Sequence, residues 1–226
     1  IKRQEIKTKY IPLVHDFIPC GKSTLFTDSP IEWSIHSLCN GKFPIVMSNK
    51  PTFIHQVYDY GIATFKTPHS FFIFHYANVV ETPTTIELYA PVYYHLDFNT
   101  IDIHGIYSKL RLDKRDKTIH IESTPELEKY NLDFPVKWKD YIILRNIKKR
   151  SIDAFIFCKG LTIYRTLYML MPICGEPSIV DDTLICIGYT KFTTYLIQVD
   201  LETNEIECVH LNQPATLGFH SIFIPN

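Results

Sequence analysis

Residues 194–209 read Thr-Tyr-Leu-Ile-Gln-Val-Asp-Leu-Glu-Thr-Asn-Glu-Ile-Glu-Cys-Val. The first part is rich in β-branched, aromatic and aliphatic residues, which suit a pleated surface. Asp200, Thr203 and Asn204 bring turn chemistry, and strand composition resumes at Ile206. The stretch reads strand, Asp-containing turn, strand. Tyr107–Asp113 followed by Lys117–Ile121 repeats that logic. The two are read as outer hairpins of propeller blades, although they share too little identity to count as a formal repeat.

Working outward, short runs of strand composition recur at Ser23–Thr27, Ile54–Tyr60, Phe71–Val80, Thr85–Tyr89, Tyr141–Leu144, Ala154–Cys158, Leu161–Met169, Leu184–Tyr189 and Phe219–Ile224. Turn-like sequence separates them, as in Asp28-Ser29-Pro30, residues 113–117 and Asp181-Asp182. Helix signals are weak throughout. So many short strands predict an all-β fold: a sandwich, a barrel or a propeller. The paired hairpins favour the propeller; a generic β-sandwich fits the same pattern.

The 226 residues are 46% apolar, enough for one large domain spanning 1–226. A formal net charge of -1 argues against an electrostatic nucleic-acid binder, and no nucleic-acid partner is expected. The densest basic run, Arg145–Arg150, reads as a solvated loop. None of the six cysteines forms a C-x-x-C pair. They read as buried free thiols, which favours a reducing, cytoplasmic location. No apolar run is long enough for a transmembrane segment. The chain begins at Ile1 without a signal peptide, and its start reads as a cut in a longer protein.

Of ten histidines, three stand in distinctive contexts: His15 in His15-Asp16-Phe17, His75 in Phe71–Glu81, and His220 in Gly218–Pro225. Their spacing excludes a local zinc motif. Inner strands of propeller blades line one axis, so distant histidines can meet there. Imidazole suits iron, zinc or copper about equally, so histidines alone do not choose the metal.

These segments resemble the carotenoid cleavage oxygenases. His15-Asp16-Phe17 with Leu25–Pro30 resembles the family's His-Asp-Phe segment. Phe74-His75-Tyr76-Ala77-Asn78-Val79-Val80-Glu81 resembles its Phe-His-x-x-Asn-x-x-Glu segment, and Gly218–Phe223 its terminal Phe-His-Gly-x-Phe segment. Lys50–His55 and Asp181-Asp182 fit the linking text, in the right order over nearly the whole chain.

The resemblance implies a seven-bladed β-propeller, of which this chain is about the C-terminal half. It implies Fe(II) held by His15, His75 and His220, with a further histidine upstream of Ile1. Glu128 is implied as a carboxylate orienting one of those imidazoles, His75 first. The implied activity is an Fe(II)-dependent dioxygenase that cleaves a conjugated carbon–carbon double bond of a carotenoid, apocarotenoid or stilbene-like substrate to carbonyls. Its partners would be an apolar conjugated small molecule and O2, with peripheral membrane contact for substrate uptake. The 226 residues alone are expected to be inactive.

Three positions depart from the pattern. No glutamate stands near Arg165-Thr166, Glu176 is out of step, and Ser221 replaces a glycine. Glu81 is given a structural role. The rival reading is a degenerate or truncated non-catalytic propeller serving as a binding or structural module. A serine or cysteine hydrolase finds no G-x-S-x-G elbow.

Overall fold

The structure, a computed structural model, describes residues 5–100, 103–147, 153–191 and 193–212. Its contacts divide the chain into two compact units, 1–129 and 130–226.

The first unit contains β1 (Ile18–Cys20), β2 (Ser23–Asp28), β3 (Ile31–Trp33), α1 (Ile35–Cys39), β4 (Ile45–Met47), β5 (Thr52–Tyr58) and β6 (Gly61–Thr67). It continues with β7 (Asn78–Glu81), β8 (Thr85–Val92), β9 (Ile106–Asp113), β10 (Ile119–Glu122) and a 3-10 turn at Leu127–Lys129. Its sheets are β1-β2-β5-β6 and β10-β9-β8-β7. The ribbon β3-β4 interrupts the first of them, and α1 lies at the ribbon's tip. Leu25, Ile54 and Phe65 from one sheet share a fully buried cluster with Ile86, Leu88, Leu110 and Leu112 from the other. Each such side chain contributes roughly 1.5–3 kcal/mol when removed from water.

The second unit contains β11 (Leu132–Trp138), β12 (Tyr141–Asn146), β13 (Ala154–Lys159) and β14 (Thr162–Tyr168). These are followed by β15 (Ile173–Val180), β16 (Thr183–Tyr189), β17 (Thr194–Asp200) and β18 (Ile206–His210). They form two antiparallel meanders, β11-β12-β13-β14 and β15-β16-β17-β18. Ile143, Phe155 and Phe157 pack with Leu184, Ile197 and Val199 between them.

The two hairpins read from sequence are the third and fourth strands of their meanders, β9-β10 and β17-β18. Their turns are built alike. Asp113 Oδ1 accepts the N–H groups of Arg115 and Asp116 at 2.8 and 3.0 Å, and Asp200 Oδ1 accepts those of Glu202 and Thr203, both at 2.8 Å. Each turn closes on a residue of positive φ, Lys117 at 58° and Asn204 at 66°. The short side chain of Asp can take these N–H groups in place of a ladder partner.

Several expectations are corrected. β11 and β15, which are missing from the strand runs read in the sequence, carry Pro135 and Pro177, and both are edge strands. Their ladders break at those prolines, between Asp133 and Val136 and between Cys174 and Ser178. An edge strand tolerates a residue with no N–H to donate. Arg145 is not in a solvated loop. It lies in β12, paired with Asp153 at 2.8 Å, and its guanidinium donates to the carbonyls of Ile173 and Gly175. All six cysteines are free, but only Cys20, Cys158 and Cys186 are buried; Cys39, on α1, is exposed.

Candidate metal centre

Phe71–Val80 is not one strand. Phe72 bridges to Tyr93, and Asn78 pairs with Tyr89. The first chain takes six residue steps between those pairs and β8 takes four, so 73–77 bulges by two residues, and His75 lies in the bulge. Such bulges re-aim a side chain. Tyr89 and Tyr93 turn their carbonyls toward this segment, accepting the N–H groups of Ala77 and Phe72 at 2.8 and 2.9 Å. Alternate strand residues share that direction, so residue 91 also points its backbone nitrogen at the gap. It is Pro91, which has no donor to leave unsatisfied.

His15 lies in an exposed segment without regular structure ahead of β1. Its ring stands 5.0 Å from that of His75, centre to centre, with the planes at 87°. The Nε2 atom of His75 is buried. An imidazole nitrogen sits about 2.1 Å from a bound metal, so each ring centre lies about 3.2 Å from it, and two rings about 90–110° apart have centres roughly 4.6–5.3 Å apart. The observed separation fits a pair of imidazoles on one ion.

One hydrogen bond joins the segments that carry the rings, and two more hold its ends. Asp16 Oδ2 accepts the main-chain N–H of Tyr76 at 2.9 Å, while Oδ1 accepts that of Phe17 at 2.7 Å. The Tyr76 hydroxyl lies 2.6 Å from Thr27 Oγ1 on β2. Burial holds the Tyr76 phenol well above its ordinary pKa, so it stays neutral. Asp16 stands in the His-Asp-Phe segment, but its bond to a residue sixty positions away leaves no signal in the one-dimensional pattern.

One aromatic ring, Phe74, adjoins the pair and is itself packed on two others. Phe74 meets His15 at 5.4 Å, Phe72 at 4.7 Å and Tyr93 at 5.0 Å. Beside His15 in sequence, Val14 and Phe17 line an apolar cleft of about 450 Å³ with Ile6, Phe26 and Val57.

Of the remaining expected residues, His220 lies outside the described residues. Glu128 is exposed on the 3-10 turn, where its carbonyl accepts from His104 Nε2 at 3.3 Å. Its charge, after burial, contributes to raising the Tyr94 phenol. Among the described residues no group of three or more His, Cys, Asp or Glu is placed to hold a metal. Glu81 has the structural setting expected of it: its carboxylate accepts from Lys114 Nζ, Gln56 Nε2 and the Cys20 thiol at 2.8, 3.3 and 3.5 Å. Arg165, near the place where a glutamate was sought, packs its guanidinium 4.0 Å above the Phe157 ring and donates to Asn204 and the Leu201 carbonyl.

No protein-family model matches the sequence, and neither does any curated protein. Solved structures do match. A mutant of Synechocystis apocarotenoid oxygenase aligns with a TM-score of 0.70 at 17% identity, over 92% of this chain and 52% of that one. Cobalt-substituted Synechocystis apocarotenoid oxygenase aligns at 0.67 and 18%, over 88% of this chain and 50% of the other. Pseudomonas brassicacearum lignostilbene dioxygenase aligns at 0.69 and 12%, over 93% and 55%. The fold is that of the carotenoid cleavage oxygenases. This chain spans about half the length of each of these solved structures.

Proposed function

We propose that the protein is the C-terminal half of a seven-bladed propeller enzyme, an Fe(II)-dependent dioxygenase that splits a conjugated carbon–carbon double bond of a carotenoid, apocarotenoid or stilbene-like substrate. The observation that carries this reading is the His15–His75 pair, 5.0 Å apart beside an aromatic wall. The fold supports it, because its solved neighbours include an apocarotenoid oxygenase and a lignostilbene dioxygenase.

In this reading His15 and His75, with His220, hold the metal through neutral imidazoles. Bound Fe(II) supplies the one-electron chemistry toward O2 that a closed-shell alkene lacks. The net reaction takes one C=C and one O2 to two C=O groups, one oxygen atom to each. The protein's own part is placement and exclusion of water. Phe74, part-buried beside His15 and backed by the buried Phe72 and Tyr93, offers an apolar contact for a polyene or stilbene. Glu128 is proposed to orient a ligand imidazole, His75 first.

Peripheral membrane contact for substrate uptake is also proposed. Trp33, Ile35 and Leu38, at the tip of the β3-α1-β4 ribbon, are 69%, 77% and 62% exposed. His36 and Lys42 flank them, a composition suited to a lipid headgroup boundary. No helix among the described residues is long and apolar enough to cross a membrane.

The test is metal analysis and product assay on the longer protein and its His75→Ala variant. The expected result is bound iron and cleavage of a conjugated substrate in the parent, with both lost in the variant. Full activity in the variant would overturn the ligand assignment. A parent that holds no iron and cleaves no such substrate would leave the non-catalytic propeller, which Arg165 in place of a glutamate favours.

A further inference from the structure

We infer that Asp16 is the positioning residue that sets the His15–His75 geometry, acting through the main chain beside each ring rather than through either ring. The inference rests on the metal-centre reading above and assigns it a residue that the histidine segments alone do not.

His15 is in an exposed segment that no strand ladder holds. His75 is in a bulge that has left the β8 ladder. Neither histidine stands within a strand. A metal ligand pair needs a held backbone, because a loosely held ligand lowers affinity through the entropy of ordering it.

Asp16 supplies it at one point. Each of the linked residues directly follows a histidine, Asp16 after His15 and Tyr76 after His75. The carboxylate therefore cross-links the two segments one residue from each ring. Its second oxygen, on the Phe17 N–H, stops the carboxylate from turning. The far end of the link is rigid as well. Tyr76 is anchored through its buried ring and the bond to Thr27, and the next residue, Ala77, returns to β8 by donating to the Tyr89 carbonyl. The bulge takes the Tyr76 N–H out of the β8 ladder, and a carboxylate is a strong acceptor for such a group.

The experiment uses Co(II) as the probe on the purified longer protein and its Asp16→Ala and Asp16→Asn variants. It records metal-free thermal unfolding, Co(II) affinity and the visible ligand-field bands. The expected result is Co(II) binding about 10–100-fold weaker in Asp16→Ala, with altered bands. Asp16→Asn, which keeps one acceptor oxygen for the Tyr76 N–H, should recover part of that loss. Asp16→Ala that binds within twofold of the parent with unchanged bands would overturn the inference, whatever its melting temperature. The inter-ring nuclear Overhauser effect between His15 and His75 in metal-free protein separates the two readings. A parent that binds no Co(II) but shows that effect, lost in Asp16→Ala, would refute the metal centre and uphold Asp16. Persistence of the effect in Asp16→Ala would refute Asp16.

Discussion

In the first unit, the sheet holding β7 to β10 is tied to the sheet holding β1, β2, β5 and β6 at the rim. Glu81 on β7 accepts from Gln56 on β5 and Cys20 on β1, with Lys114 closing the cluster, and its side chain is 29% exposed. In the second unit, β12 is tied to β15 in the interior. Asp153 Oδ2 accepts from Arg145 and from the Ile173 N–H, at side-chain exposures of 4% for Asp153 and 11% for Arg145. Both ties use one carboxylate, one cation and backbone or amide donors. They differ in depth, and depth decides what an ion pair does. A rim pair is screened and contributes little, whereas a buried pair is costly to break because its survivor stays charged without water.

The largest expected effect follows from that contrast. Asp153→Ala strips Arg145 of its counter-charge and the Ile173 N–H of its acceptor. It should destabilise the second unit by about 3–5 kcal/mol, read as the urea midpoint shift. A loss below 1 kcal/mol would show that water reaches the site and that the depth contrast is false.

Glu81→Gln should cost less, about 0.5–1.5 kcal/mol, because water can replace part of what is lost. The pH dependence has a definite sign. The Lys114 hydrogen bond, followed by that of Gln56, holds the Glu81 carboxyl below its ordinary 4.5. A depressed folded value means the stabilisation is fully present above the unfolded value. It is lost as pH falls from about 4.5 through the folded value beneath it. Comparing parent and Glu81→Gln unfolding between pH 7 and pH 3 should show the difference shrinking toward the acid end. A difference that grows there would reverse the assignment.

How much of this was legible in sequence depended on whether the cause was local. The turns at Asp113 and Asp200 are local, because an Asp side chain and the N–H groups just after it decide them, and both hairpins were read correctly. The edge strands β11 and β15 were not read, because Pro135 and Pro177 carry turn chemistry, and what makes them tolerable is the missing neighbour on one side. The Phe71–Val80 run has continuous strand composition. Only its pairing with β8, six steps against four, reveals the bulge that carries His75. Arg145 looked like part of a charged loop because its partners, Asp153, Ile173 and Gly175, are brought to it by the meander. Of the three histidines, the described structure brings His15 and His75 together, and His220 lies beyond it.

Thiol reactivity sharpens the comparison at a smaller scale. Burial pushes the Cys186 thiol in the second unit up to about 12, and burial together with Glu81 pushes Cys20 in the first up to about 11. Cys39 lies exposed on α1. Native protein treated with a thiol reagent at neutral pH should modify Cys39 first, with Cys20, Cys158 and Cys186 protected until unfolding. Peptide mapping of the first-modified site checks this, and early labelling of Cys186 would mean that the second unit opens readily.

The smallest expected effect on stability concerns the ribbon β3-α1-β4, an insertion within the sheet of β1, β2, β5 and β6. The ribbon's base is secured, since Ile31 packs with Phe72 and Tyr93, with Ile45 and Met47 against them. Its tip is not, because Ile35 and Leu38 stand one helical turn apart on the outside of α1. Ser34 caps that helix by accepting the Ser37 N–H at 3.1 Å, so the exposed pair is presented on ordered backbone. Ile35→Asp with Leu38→Asp should therefore change folding stability by less than about 0.5 kcal/mol, as exposed substitutions do. Under the proposed membrane contact, the same double change removes two apolar anchors and adds two negative charges. Sedimentation with vesicles containing anionic lipid should pull down the parent and leave the variant in the supernatant. High salt should weaken the parent's binding only in part, because apolar burial persists when charge is screened. Equal sedimentation of parent and variant would break the link between the exposed tip and the membrane, and salt-sensitive binding alone would assign the contact to surface charge.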